Sequence, residues 1–440
     1  MTSISSEYRE ARGEVVRAVA NLFENYLSKP PTPNITELWN EHKTIRQMLE
    51  EISAKQEILS ETDKNLKRKR TIEDVYSFLN WADHLGVKRN GVTIIECADV
   101  GGLGLVAEKD ICKHDSVVKV PRHAMFSSDL AKKSAMLKKL FEKDMIVKGM
   151  ANVGLKDFFS ILYGLNGLFY TIQHNNYLQN YKTSSAIPLL YNSPFTVDNF
   201  TFSLYKWAVG TIATRVNMIP SAIEQSKDEC PVMIPALIPV LDMANHELVV
   251  DKNFGHSITY STESNSAEVV VSKDASRGTF VTIFYGKRSN ADHLLHNGFV
   301  PVGENPNDIY KLKISLSRSD GYFEAKQKQI AELGFDESSN SNIYLYDISS
   351  KPEPFHPSLE TFARVYVAEK PELISTRNTL KKAISFLKNR FAILERSYGA
   401  IINGVTENEK NIERLKKGEL IILARARLYC EEWERKLLEN

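Results

Sequence analysis

The sequence predicts an α+β protein, with a body of short β-strands set between helical segments. Three observations carry this. From Gly91 to Pro121 the chain reads GVTIIECADVGGLGLVAEKDICKHDSVVKVP. These are short β-branched runs broken by Gly and Asp, the pattern of strands joined by tight turns. Residues 234–304 return to that pattern, most clearly in SAEVVVSK and VTIFYG. On either side apolar residues recur at three- and four-residue steps, the period of an amphipathic helix. A doubly wound sheet would alternate longer strands with helices, and this chain does not.

The elements follow in order. Leu38, Ile45, Met48, Leu49, Ile52, Ile58 and Leu59 place one amphipathic helix between Asn34 and about Ser60. A short helix over Val75–Gly86 closes at Gly86. Residues 125–210 read as mostly helical, with the apolar cluster FFSILYGLNGLFY (Phe158–Tyr170). In WAVGTIATRVNMIP the helical half is expected to bury Trp207, Val209 and Ile212, and its end presents Arg215 and Asn217. Tyr310, Leu312 and Ile314 alternate as a half-buried strand, and from about Lys326 the pattern is helical to the end. There Leu380, Ala383, Ile384, Leu387, Phe391 and Leu394 share a face, Gly399 is a stop, and Thr406 with Glu409 forms a capping box. The expected division is a helical segment over 1–70, a β-rich domain over 71–305 with a helical insertion at about 125–205, and an all-helical domain over 306–440.

Composition narrows the function classes. The 440 residues suit two or three domains, and 42% of them are apolar. Lys and Arg number 56 against 55 Asp and Glu, a balance that argues against wholesale binding to nucleic acid or to a membrane surface. The four cysteines, Cys97, Cys112, Cys230 and Cys430, form no CxxC pair. That leaves no zinc framework and favours a reducing compartment. No apolar run of about 18 residues marks a membrane span, and the first residues carry no signal-peptide core. A cytoplasmic monomer is expected. KNLKRKR (Lys64–Arg70) reads as a solvated linker, with nuclear import through Lys67–Arg70 as the alternative.

Several motifs carry polar chemistry. GGLGL (Gly101–Leu105) lacks the Lys-Ser/Thr of a phosphate loop and leads into no long helix, so it reads as a turn or a close backbone approach to a ligand. DMANHE sets Asp242, Asn245, His246 and Glu247 behind the apolar run LIPVL. A metal site needs a second cluster of ligands and none lies nearby in sequence. A serine hydrolase needs a G-x-S-x-G turn, which is absent. Adjacent amide and imidazole groups behind a strand suit a polar ligand beside a buried sheet. Tyr285, in FYG, is either a core aromatic or a phenol aimed into a pocket.

Taken in order, GLGL, WAVGTIATRVNMIP, LIPVLDMANH, FYGKRSNAD and HNGF resemble a SET-domain protein methyltransferase of the Rubisco large-subunit methyltransferase-like class. The resemblance covers roughly residues 35–430. It implies a split SET domain, a helical C-terminal substrate-binding domain and S-adenosylmethionine as cofactor. By position, Gly101, Leu103, Gly104, Arg215, Asp242, Asn245, His246 and Tyr285 would hold the cofactor. Tyr285 and Asn217 would be catalytic, and Asn217, Leu241 and Arg288 would meet substrate, with no metal. TRVNMIP, YGKRSNAD and the IRQMLEEI region lean toward members that methylate a histidine of actin, a protein partner. Three positions depart from that pattern: Leu241 stands where those members carry tryptophan, Gly101 where they carry glutamate, and Asn297 where they carry serine. Lysine as the target, and a SET-fold module that binds protein with weakened turnover, are the alternatives these departures leave open.

Overall fold

The asparagine at position 34 starts the first long amphipathic helix. In a computed structural model, which describes residues 6–27, 34–60, 68–97, 102–133, 201–222, 231–248, 258–331, 343–401 and 403–439, its side chain accepts from the backbone N–H groups of Thr36 and Glu37. Those donors have no partner inside the helix, so the cap satisfies them. Helix α1 (Ser6–Leu22) packs on α2 (Ile35–Leu59), which buries Ile45, Leu49 and Ile52 and turns Ile58 to solvent. Helix α3 (Ile72–His84) begins before the expected Val75, because the Asp74 carboxylate accepts from the Thr71 N–H at 2.8 Å. It ends at Gly86, whose φ of +80° reverses the chain. Arg68, Lys69 and Arg70 are exposed and Arg68 pairs with Asp74, as a solvated run would.

Contacts divide the chain into two units. The first comprises residues 1–247 and 253–283, the second 248–252 and 284–440. In the first unit the strands are short and antiparallel. Strands β1 (Lys88–Arg89), β4 (Ser116–Pro121), β8 (Ile258–Ser261) and β9 (Ser266–Val270) form one sheet in the order β1-β4-β9-β8. Strands β2 (Val92–Cys97), β3 (Gly102–Ala107) and β10 (Phe280–Val281) form a second with β3 central. Strands β5 (Phe126–Ser127), β6 (Asn217–Pro220) and β7 (Met233–Leu237) form a third with β7 central. Helix α4 (Ser128–Lys133) follows β5, and α5 (Phe202–Arg215) leads into β6. Alternating Val92, Ile94, Leu105, Val118 and Val120 point inward, which is why these runs pair as strands.

Two expectations for this unit change. Trp207 is 58% exposed while Ile212 is buried. Five residues correspond to about 140° around a helix, so the two side chains lie on different faces. VTIFYG is not one strand: only Phe280–Val281 joins the ladder, because the backbone of Ile283 is taken by the segment around His246. Most of the helical insertion expected at 125–205, including Phe158–Tyr170, lies outside the described residues.

In the second unit a β-hairpin accompanies the helices. Strand β11 (Ile309–Ser315) pairs along its length with β12 (Ile343–Ser349), so continuous helix beyond Lys326 is corrected. The reason is a two-residue period: Tyr346 faces inward opposite Leu312 and Ile348 opposite Tyr310, and exposed side chains alternate with them. Helices α6 (Asn290–Asn297), α7 (Phe323–Ala331), α8 (Pro357–Val367), α9 (Arg377–Ser397) and α10 (Glu407–Glu439) complete the unit. Phe362, Ile384, Leu387, Phe391, Leu423 and Ala426 form its fully buried core. The α9 stripe is the predicted one, Gly399 follows it at φ +62°, and Thr406 and Glu409 cap α10 reciprocally.

Phe391→Ala is expected to destabilise the second unit by about 3–5 kcal/mol, the usual cost of emptying a fully buried aromatic site. A lower urea midpoint at unchanged slope would report it, and Ile393→Ala, at a 58% exposed position, is the control expected within about 0.5 kcal/mol of the native protein.

Candidate active site

Strand β3 supplies the first wall of the site. Gly104 sits where a Cβ would lie 2.8 Å from the Asn245 amide nitrogen and 3.0 Å from the Phe280 ring. The glycine is therefore required by close packing, not by an unusual φ. The Asn245 amide donates to the Leu103 carbonyl at 3.1 Å, fixing its side chain across the edge of the strand. Gly101 lies outside the described residues.

The segment bearing Asn245 enters through a strained turn. Val240 has φ +68° and ψ −46°, a region that β-branched residues almost never occupy. Such strain costs on the order of 1–3 kcal/mol and persists only where the surroundings over-determine it. Here they do. The Asp242 N–H donates to the Ile238 carbonyl, that of Met243 to Val240, and that of Ala244 to Leu241. Leu241 is fully buried at the start of this turn.

Beyond the turn, Ile283 threads between two residues of the same segment. Its N–H donates to the Asn245 carbonyl at 2.9 Å, and its carbonyl accepts from the Glu247 N–H at 3.0 Å. His246, between them, is in parallel register with Ile283. Glu247 is held in turn by the Thr282 hydroxyl at 2.6 Å and by Lys273.

Arg215, the last residue of α5, reaches the same segment: its Nη1 donates to the Asp242 carbonyl at 2.7 Å. Burial pushes the Asp242 carboxyl up to about 7, opposed by the Arg215 charge. Its buried Oδ1 has no hydrogen-bond partner among the described residues. Asn217 lies just past Arg215 on β6, and its amide donates to the Arg215 carbonyl at 3.1 Å. An amide whose nitrogen is committed in this way presents its oxygen as an acceptor.

The first unit thus brings Leu103, Gly104, Arg215, Asn217, Asp242, Asn245 and His246 onto neighbouring segments. Tyr285 and Arg288 belong to the second unit. There the Tyr285 ring meets Phe299 edge-on, with centroids 6.4 Å apart, and His293 tilts against Phe299 at 5.5 Å. Arg288 Nη1 donates to Asn297 Oδ1 at 3.0 Å. The backbone around Arg288 is clamped: its carbonyl accepts from the Asn305 amide, and the next residue but one, Asn290, gives its N–H and its amide to the two oxygens of Asp308. Sequence reasoning missed Val240, Asp308, Asn290 and Asn305. Only the asparagines carried any signal, as capping-type residues beside a turn. Among the described residues no group of three or more His, Cys, Asp or Glu side chains could hold a metal ion.

This strand order, with the Asn245–Glu247 segment wrapped on Ile283, is the SET-domain methyltransferase fold. The computed structure superposes on "Structure of Rubisco LSMT bound to AdoMet" with a TM-score of 0.58 and 19% identity, covering 83% of this chain and 93% of that one. It matches the SET domain of LSMT bound to lysine and AdoHcy with a TM-score of 0.58 and 17% identity, covering 83% and 92%. At these identities the likeness shows a shared fold, that of the SET-domain methyltransferases. Among curated proteins the chain is 27% identical to the actin-histidine N-methyltransferase of Danio rerio, over 97% of this chain and 76% of that protein. It is also 27% identical to that of Homo sapiens, over 96% and 77%. No family model matches the chain.

Two outcomes follow from the site geometry. Gly104→Ala is expected to displace the Asn245 amide and weaken S-adenosylmethionine binding at least tenfold, about 1.4 kcal/mol, by calorimetry. For Asp242, the folded carboxyl keeps its proton to about pH 7, whereas the unfolded one releases it near 3.9. Native stability therefore falls as pH rises between those values and levels off above them. The stability advantage of Asp242→Asn over the native protein is expected to grow from pH 4 to pH 7, as measured by denaturant unfolding.

Proposed function

We propose that this chain is an S-adenosylmethionine-dependent protein N-methyltransferase acting on a histidine of actin. The observation that carries the reading is the similarity to actin-histidine N-methyltransferases over 97% of the chain, which includes every described site residue. The first unit fits the cofactor chemically. Arg215 offers a cation for a carboxylate, Asp242 Oδ1 is a buried acceptor suited to an ammonium, and the bare Gly104 lets the Asn245 amide seat against strand β3. Leu103, Asn245 and His246 would complete the cradle. When bound, S-adenosylmethionine supplies an electrophilic methyl group on a sulfonium.

The protein's own part is alignment and exclusion of water, because in-line displacement gains most from orientation. A histidine nucleophile needs no strong base: with a pKa near 6.5, imidazole is mostly neutral at pH 7. It needs its tautomer fixed. The Asn217 oxygen, left free by the amide's bond to the Arg215 carbonyl, would accept the imidazole N–H and so expose the lone pair of the other ring nitrogen. In this proposal Tyr285 orients the acceptor by its hydroxyl and Arg288 contacts the protein substrate.

A second reading, a protein-lysine methyltransferase, is favoured by the likeness to a fold solved with lysine, while Leu241, expected to meet substrate, is fully buried in this structure. The proposed compartment is the cytoplasm, supported by the cysteine-poor sequence. No helix among the described residues is long and apolar enough to cross a membrane.

Incubation with S-adenosylmethionine and unmodified actin, followed by mass spectrometry, is expected to place one methyl on a histidine. The rate should rise through about pH 6.5 to a plateau, whereas a lysine acceptor would keep gaining toward pH 10. Tyr285→Phe is expected to lower kcat on the order of 10²-fold with cofactor affinity unchanged; equal loss of both would remove the assigned role.

A further inference from the structure

Arg288 is a half-buried guanidinium with five N–H donors, and among the described residues it makes no ion pair. Asp292, the acidic residue nearest to it in sequence, pairs with Lys311 and accepts from the Ser289 hydroxyl. What holds the guanidinium is a neutral group, the Asn297 amide oxygen, 3.0 Å from Nη1. That same oxygen lies 3.3 Å from Nδ1 of the buried His293. His293 in turn packs on Phe299, and Phe299 carries the edge of Tyr285. Asn297 closes α6, where Gly298 at φ +81° ends the helix and fixes the position of that last side chain. Behind it, Asn305 and Asp308 clamp the backbone on either side of Ser289. Arg288 is thus fixed in backbone and aligned at one nitrogen, while among the described residues no carboxylate pairs with it directly and Asp292 acts on its charge only at longer range.

We propose that Asn297 is a positioning residue for recognition of the protein substrate, orienting Arg288 through a neutral hydrogen bond that keeps its remaining donors and its charge available to an acceptor on that substrate. This rests on the reading of Arg288 as a substrate contact. A carboxylate in place of the amide would make a charge-assisted pair, roughly twice as strong as a neutral bond. The substrate's acceptor would then have to compete with it.

The test is steady-state kinetics of the full chain with actin and S-adenosylmethionine. Asn297→Asp is expected to raise KM for actin about tenfold, with kcat and KM for S-adenosylmethionine within about twofold. In an Arg288→Ala background, which itself raises KM for actin, the same change should alter KM by less than about twofold, the coupling expected of two groups that act together. Asn297→Leu, which removes the acceptor without adding charge, should raise KM by a smaller factor; thermal melts of each variant confirm folding. If Arg288→Ala raises KM for actin and Asn297→Asp does not, the role of Asn297 is overturned while the proposed function stands. Unequal losses that persist without Arg288 would mark Asn297 as merely structural and overturn it equally. No methyl transfer to actin by the native protein would overturn both.

Discussion

The wrapping of Asn245–Glu247 around Ile283 is the constraint on which the first unit's site depends. Two backbone hydrogen bonds, one from Ile283 to Asn245 and one from Glu247 to Ile283, join segments nearly forty residues apart in the chain. They explain several features at once. Ile283 is withdrawn from the β10 ladder, His246 is held in register, and the Asn245 side chain is directed at the Leu103 carbonyl. That last contact requires Gly104, because a Cβ there would collide with the amide. The site is therefore built of backbone pairing first and side chains second.

A site held this way tolerates local cost. Val240 occupies backbone space that disfavours its branched side chain, and Asp242 buries a carboxyl oxygen with no hydrogen-bond partner among the described residues. Each is unfavourable alone. Both lie in the seven residues that precede the wrap, where turn hydrogen bonds and the Arg215 guanidinium fix the chain. A buried acceptor without a partner among the described residues is the kind of group that a cationic ligand satisfies. In this light the departure at Leu241 is conservative for folding: the side chain is wholly buried and apolar.

The second unit solves a parallel problem with amides. Asn290, Asn297, Asn305 and Asn411 each use the side chain to tie a loop: Asn411 accepts from the Val300 N–H, and the others lock the residues from Arg288 to Asn290. Gly418 on α10 lies against this cluster, where a Cβ would fall 2.8 Å from Asp308 and 3.0 Å from Asn290. The long C-terminal helix therefore supports the polar network as well as the apolar core. Asp308 is pushed up to about 6, with burial the main cause and Glu419 adding to it, so this network is fully ionised only above that pH.

The sequence by itself determined the element types wherever a face is buried over several turns, as in α2 and α9, and it determined the cap of α10, because Thr406 and Glu409 act on donors within three residues. It also placed Arg215 at a helix end, whereas GGLGL, read as a turn, forms strand β3 from Gly102, and Asn245 follows a tight turn and not a strand. Short elements escaped it. Strand β12 and the break in VTIFYG were set by partners far along the chain, and Trp207 faces solvent because a helix has two faces that a few apolar residues do not distinguish. Tertiary structure alone decided that Ile283 lies between Asn245 and Glu247, that Asp308 holds Asn290, and that Asn297 holds Arg288. Local pattern reports which groups a residue carries and how its neighbours are spaced. A hydrogen bond between distant segments depends on distance in space, which no local period encodes.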